Sequence, residues 1–354
     1  MNMENIFANR LMTARKMAGL SLQGLADLLG NIVSKQSLNK YEQGKMKPDS
    51  QLIIKLAEVL KVSVDYFYSS PEIDVNLSNI DYRKYKSKLS KTEQVAIEEK
   101  ARNILERYLE LEGILNLDEK PEFFTYSKVI ESVEDAEEAA KKLRKEWQLG
   151  NDPIPDVVEM LEDKGYKVVE IEAGNNFDGM KADTHGHKVI VLKKLGEKED
   201  VVRKRFTALH ELAHHAMKFI SEKDEEKLCH AFACAVLYPD YMAEKEMHKE
   251  RFHFYQNELI LIKERWGISF PAIFNRALKL GIINDYVYKK LNIGYRSRKL
   301  HKNEPGRYMS KEKPSRFERL IYFALAKELI SVNEAAYYSG SSVWKFRETL
   351  QQII

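Results

Sequence analysis

Within this chain of 354 residues, the stretch with the most chemical content reads Arg205-Phe206-Thr207-Ala208-Leu209-His210-Glu211-Leu212-Ala213-His214-His215. Its core is His-Glu-x-x-His. Four residues on a helix advance just over one turn, so His210 and His214 project from one face and can grip a single ion. Neutral imidazoles suit Zn²⁺. Glu211 follows His210 directly and stands beside the metal rather than on it, where a base must be to take a proton from an activated water. A chance occurrence of the pattern would lie on a solvated helix face. Here Phe206, Leu209, Leu212, Ala213 and Ala216 surround it, so the helix is built for burial, where three ionisable groups are costly without a partner.

A catalytic zinc needs a third protein ligand and an open position. The residues after His214, His215-Ala216-Met217-Lys218, offer no further metal-binding histidine at the next turns. The next helix is the expected source, and Glu226 is the residue expected to bind. His230, four residues later on the same face, is either an alternate ligand or a hydrogen-bond partner for Glu226. Asp224 and Glu225 are further carboxylates. His215 points roughly 100° away from His214. His185 and His187 precede a strand-like run; they are surface loop histidines or, if that strand lines the cleft, oxyanion donors. An extended peptide could add to the same strand if it is an edge. Cys229 and Cys234, the two cysteines, fit neither a redox pair nor a disulfide framework and read as buried thiols in a reducing compartment.

The elements that must position these groups are mostly helical. Hydrophobic residues make up 44% and charged residues 31% of the chain, and its formal charge is +3, so disorder over the whole length is excluded and no global nucleic-acid signature exists. Basic residues gather in residues 1–70 and 296–319, where phosphate is one partner and water the other. The first residues lack the apolar run of a signal peptide, and no segment approaches the roughly 18 apolar residues of a membrane span. A cytoplasmic protein without membrane contact is expected. Short helices fill residues 5–70. Residues 71–88 read as a polar, irregular linker, and Ser90-Lys91-Thr92-Glu93 as a capping box for a helix with Ile97, Ala101, Ile104, Leu105, Tyr108 and Leu111 on one face. That face packs on its own chain or on a second copy as a homodimer. Strand-like runs cover 166–171 and 188–193, with 174–179 as the turn between. Helices are expected over 203–220, 224–238, 240–248, 255–266, 269–280 and 284–291, then near 315–329, 331–339 and 341–353.

Several stretches together resemble the ImmA/IrrE family of metallopeptidases. They are Pro153-Ile154-Pro155-Asp156 with Leu161-Glu162 and Gly165, Asp178-Gly179, Val189-Ile190-Val191, Arg203 to His214, Glu226 to Pro239, Lys263 to Ser269, Arg276-Ala277 and Leu280-Gly281. The resemblance implies a gluzincin-like fold, zinc held by His210, His214 and Glu226, and Glu211 as general base. His230 departs from it, standing where the family usually has Asn. Glu312-Lys313-Pro314-Ser315-Arg316-Phe317 with Ser331 and Ala335-Ala336 resembles a C-terminal extension of some relatives, which would gate the cleft or bind a partner.

A second resemblance lies at the N-terminus. Ser21 to Ala26, Val33 to Gly44 and Pro48 resemble the Cro/repressor-type (XRE family) helix-turn-helix, with Asn31-Ile32 as a lengthened turn. The resemblance implies that a helix over about 34–42 enters the DNA major groove. Leu38 and Tyr41 would face inward and Lys35, Gln36, Ser37, Asn39 and Lys40 outward. Gln36 and Asn39 can read adenine, and Lys45 and Lys47 suit phosphates.

The expected whole is mostly α with a small β-sheet, an α+β chain. It comprises a helix-turn-helix domain (1–70), a linker with an amphipathic helix (71–125), a metallopeptidase domain (126–295) and a C-terminal helical extension (296–354). It would bind a double-stranded DNA operator and cleave a specific regulatory protein such as a repressor. The competing reading is a transcription factor, or the antitoxin of a neighbouring-gene toxin, with a structural or sensory zinc.

Overall fold

A computed structural model describes residues 3–70, 72–82, 89–117, 121–196 and 199–351. The chain is mostly helical with a small mixed sheet, an α+β fold. It divides into two compact units. Unit 1 holds residues 1–78, 85–120 and 315–354; unit 2 holds 79–84 and 121–314.

Unit 1 opens with α1 (Met3–Met17), α2 (Leu22–Leu28), α3 (Lys35–Glu42) and α4 (Ser50–Leu60), then a 3-10 turn (Asp65–Tyr68). Short polar side chains start three of these helices. Ser21, Ser34 and Asp49 accept from the backbone N–H of Gly24, Ser37 and Leu52, satisfying donors that a helix leaves open at its first turn. Leu11, Leu25, Leu38, Leu56 and Phe67 are fully buried and form one core. Arg15 forks onto Glu42 at 2.6 and 2.8 Å and ties α1 to α3.

The segment expected to be an irregular linker contains a strand, β1 (Ser78–Tyr82), which joins the sheet of unit 2. Its polar residues hid it from sequence patterning. Residues 71 and 83–88 of that expected linker lie outside the described residues. Then α5 (Lys91–Ile114) begins with the expected capping box, Ser90 and Glu93 each holding the other's backbone N–H. Ala101, Leu105, Tyr108 and Leu111 are fully buried within the chain, α5 packing on α1 and on C-terminal helices described below.

Unit 2 runs through β2 (Val129–Ile130), α6 (Val133–Glu146), α7 (Val157–Asp163), β3 (Lys167–Ile171), β4 (Gly179–Thr184), β5 (His187–Lys193), α8 (Val202–Ala216), β6 (Lys218–Phe219), α9 (Glu222–Leu237), α10 (Asp240–Met247), α11 (Gln256–Trp266), α12 (Phe270–Lys279) and α13 (Asp285–Ser297). The sheet order is β1-β4-β5-β3, with β3 parallel and β4 antiparallel to β5. Strand β5 is therefore central rather than the edge considered from sequence. The turn expected over 174–179 ends where β4 begins. The helix expected to reach residue 220 stops at Ala216, and Lys218–Phe219 pairs instead with Val129–Ile130. Helix α8 packs on β4 and β5 and on α9, and α9 packs on α6.

Residues 296–314 group with unit 2 rather than with the C-terminal helices. The Glu312 carboxylate accepts from Val157 N–H and Val158 N–H at 3.0–3.1 Å, capping α7, and pairs with the guanidinium of Arg205, both side chains fully buried. A carboxylate at a helix N-terminus is stabilised by the open N–H groups and the dipole. The chain then returns to unit 1 with α14 (Arg316–Ala326), α15 (Val332–Ser339) and α16 (Val343–Gln351), which share a core with Leu111 of α5.

Candidate functional site

Helix α8 buries Leu209, Leu212 and Ala213 completely, and the same burial carries His210, Glu211 and His214 inward at 0%, 0% and 7% exposure. Glu226 enters from the neighbouring α9. His210 Nε2 and His214 Nε2 are 3.0 Å apart. Glu226 places one carboxylate oxygen 3.6 Å from His210 Nε2 and the other 3.5 Å from His214 Nε2. Ligands at about 2.05 Å around a tetrahedral zinc would be separated by about 3.3 Å, so these three side chains fit that ion in type and spacing.

The electrostatics favour a cation. Burial works against charge on Glu226, yet the two imidazoles beside it hold its carboxyl well below the usual range. Burial also opposes protonation of His214, but Cys229, Glu225 and Glu226 overcome it and push its pKa up to about 12. Glu225, weighed from sequence as a fallback ligand, instead meets the far nitrogen of His214, Nδ1, at 2.7 Å. That contact fixes which ring nitrogen faces Glu226. Asp81 of β1 reaches the same Nδ1 at 4.0 Å. Cys229 Sγ lies 3.7 Å from it, its thiol pushed up to about 11 chiefly by burial. Nothing in local sequence marked Asp81 or Cys229 for this place, because neither shares a turn of helix with His214.

His230 stands with its ring centroid 4.9 Å from that of His210. Its ligand atom lies within 4.8 Å of those of His210 and Glu226, so it stays an alternate donor beside His214. His215 turns to the sheet, where its Nε2 is 3.0 Å from the Val189 carbonyl oxygen and burial first of all pulls its pKa down to about 4. His185 and His187 lie at the β4–β5 hairpin, the first exposed and the second half-buried. Among the described residues, Asp224 joins neither the group of His210, Glu226 and His230 nor that of Asp81, His214 and Glu225, whose potential ligand atoms also lie within 4.8 Å of one another. Both cysteines are buried free thiols.

The opposite end of β4 meets Glu211. A Cβ on Gly179 would fall 2.5 Å from Thr207 Cγ2 and 3.2 Å from Glu211 Oε1. Lys181 donates to the His214 carbonyl oxygen at 3.2 Å.

In unit 1, α3 presents Lys35, Gln36, Asn39 and Lys40 to solvent, with Lys45 and Lys47 exposed just beyond it. Leu38 and Tyr41 are buried, as their helical spacing predicts. Ser37 is half-buried and its backbone N–H binds the Ser34 cap at 3.1 Å. Asn31 takes a left-handed conformation, φ 58°, in the turn before α3, which asparagine tolerates better than most residues.

Residues 11–67 match the family described as Helix-turn-helix. Over 75 residues, 21% of this chain, the sequence is 36% identical to the SPbeta prophage-derived uncharacterized HTH-type transcriptional regulator YonR of Bacillus subtilis (strain 168), and the match spans 68% of that protein. The chain belongs to the helix-turn-helix family of transcriptional regulators. A second relative, the uncharacterized HTH-type transcriptional regulator YqaE of the same organism, is 34% identical over 61 residues, 17% of this chain and 51% of its own length. The helix-turn-helix match ends before α5, and the matches to these relatives leave most of the chain uncovered. Among the described residues no helix is long and apolar enough to cross a membrane.

Proposed function

We propose that this helix-turn-helix regulator binds a double-stranded DNA operator through α3 and carries in unit 2 a zinc-dependent peptide-hydrolysing site of the ImmA/IrrE kind. Its substrate would be a specific regulatory protein, such as a repressor or the product of a neighbouring gene. The observation that carries the enzymatic reading is the donor set of His210, His214 and Glu226, spaced 3.0–3.6 Å, with Glu211 fully buried on the same helix.

Zinc, when bound, supplies a Lewis acid that acidifies water and polarises a carbonyl. His210, His214 and Glu226 would hold it, and Glu225 keeps the His214 ring in the binding orientation. Glu211 takes the proton of the attacking water and returns it to the leaving amine. Gly179, lacking a side chain, lets β4 pack directly against Thr207 and Glu211 and so holds the Glu211 carboxylate in place. On the DNA side, Gln36 and Asn39 carry amides able to read adenine, while Lys35, Lys40, Lys45 and Lys47 suit guanine or phosphate.

The test is Glu211→Gln in the full chain. One zinc per chain and operator binding should persist, while cleavage of the co-encoded regulatory protein falls by at least about 100-fold. If the substitution leaves regulation in the cell unchanged, the zinc is structural or sensory, and the protein acts as a transcription factor or antitoxin without cutting peptide bonds.

A further inference from the structure

Strand β1 lies on the outer side of β4, the strand that runs beside the metal helix. The other side of β4 is taken by β5, so β1 covers the one edge that β4 has left. An extended peptide bound beside a catalytic helix commonly gains its backbone hydrogen bonds by joining such an edge. We infer that β1 is an intramolecular strap: the chain's own linker sits where a substrate segment would add, and the site stays closed until β1 leaves. This inference rests on the peptidase reading above.

The contacts of β1 reach the site itself. Asp81 points a carboxylate at Nδ1 of His214, 4.0 Å away, on the side already held by Glu225. Asn79 Nδ2 donates to the Asp183 carboxylate of β4 at 2.8 Å. Around them, β4 touches the metal helix at Gly179, beside Thr207 and Glu211, and at Lys181, on the His214 carbonyl. A segment seated on β4 is thus seated beside both the base and one histidine of the donor set.

The composition of β1 suits release. Ser78, Asn79 and Asp81 are poor strand formers, Asn79 takes a left-handed φ of 50°, and Tyr82 is the only fully covered side chain of the five. The strap also follows closely in sequence on the helix-turn-helix module, whose last turn ends at Tyr68, so tension on the linker is one means of drawing it off.

The test uses the full chain in a Glu211→Gln background, so that binding is read without cutting. Two variants release the strap. Ile80→Pro removes a backbone donor inside β1, and Asn79→Ala with Asp81→Ala removes its contacts to Asp183 and His214 and guards against misfolding by proline. Hydrogen exchange of the amides of residues 179–184 is measured by mass spectrometry. Binding of a fluorescent peptide of the sequence Asp-Val-Asn-Leu-Ser-Asn-Ile-Asp-Tyr, copied from residues 74–82, is measured by anisotropy. Both variants should exchange at least about 10-fold faster in β4 and bind the peptide, while the unaltered linker excludes it. Equal exchange in all three proteins, or no gain in peptide binding, overturns the strap. If the edge opens as expected but variants with Glu211 restored cut no peptide, the peptidase reading fails and the strap stands.

Discussion

Two adjacent histidines of α8 live in opposite surroundings. His214 faces carboxylates that stabilise its charge, whereas His215 is buried against the sheet with its pKa pulled down to about 4. The ordinary value for histidine is about 6.5. Between these pH values the unfolded chain binds a proton at His215 that the folded chain refuses. The stability due to this group is therefore complete above pH 6.5 and is lost as pH falls towards 4, by up to about 3 kcal/mol. Denaturant titrations of His215→Gln should show a flatter decline across this window than the parent. Gly179 makes a second demand at this scale. An added methyl would press Thr207 and Glu211, so Gly179→Ala should retain zinc while lowering peptide cleavage by at least tenfold, measured as kcat on a fixed substrate. Unchanged kcat would remove Gly179 from the site.

At the scale of elements, one helix carries two candidate donors and the candidate base, and its neighbour carries the third donor. The arrangement depends on α8 being pinned at both ends. Near its N-terminus Arg205 pairs with Glu312 and donates to the Ile154 carbonyl. Near its C-terminus the Ala216 carbonyl accepts from Tyr126 N–H. Helix α3 is held differently, by an inward face of Leu38 and Tyr41 and the Arg15–Glu42 fork, which leaves its polar face open. Lys45 and Lys47 lie exposed just beyond it, and the DNA-binding proposal assigns them to phosphates. Replacing both by alanine should lower the slope of log affinity against log salt by about two, with little change in sequence preference. Operator titrations at several salt concentrations measure it, and an unaltered slope places these lysines outside the interface.

At the scale of the molecule, unit 1 is assembled from three stretches of chain and unit 2 from two. The candidate zinc ligands all belong to unit 2, and a ligand stabilises the folded form that binds it. Chelation should therefore lower one calorimetric transition and leave the other in place. At free zinc 100-fold above its dissociation constant the loss is about 3 kcal/mol. Two transitions lowered equally would place the metal's effect beyond unit 2. The long α5 buries its apolar positions within unit 1, against α1, α14 and α15, which accounts for that amphipathic face without a second copy of the chain.

The sequence alone determined what depends on local spacing. The His-Glu-x-x-His turn, the Ser90 cap, the inward Leu38 and Tyr41 and the basic residues after α3 follow from helical period and side-chain chemistry over a few residues. Tertiary structure decided what depends on partners far along the chain. It brought Glu226 to 3.5–3.6 Å from the two imidazoles, assigned Glu225 and Asp81 to the far side of His214, turned a polar linker into β1, and drew residues 308–314 onto α7 through Glu312. A strand of polar residues at a sheet edge, or a carboxylate capping a distant helix, leaves no periodic trace, because its stabilising partners are supplied by the fold rather than by its sequence neighbours.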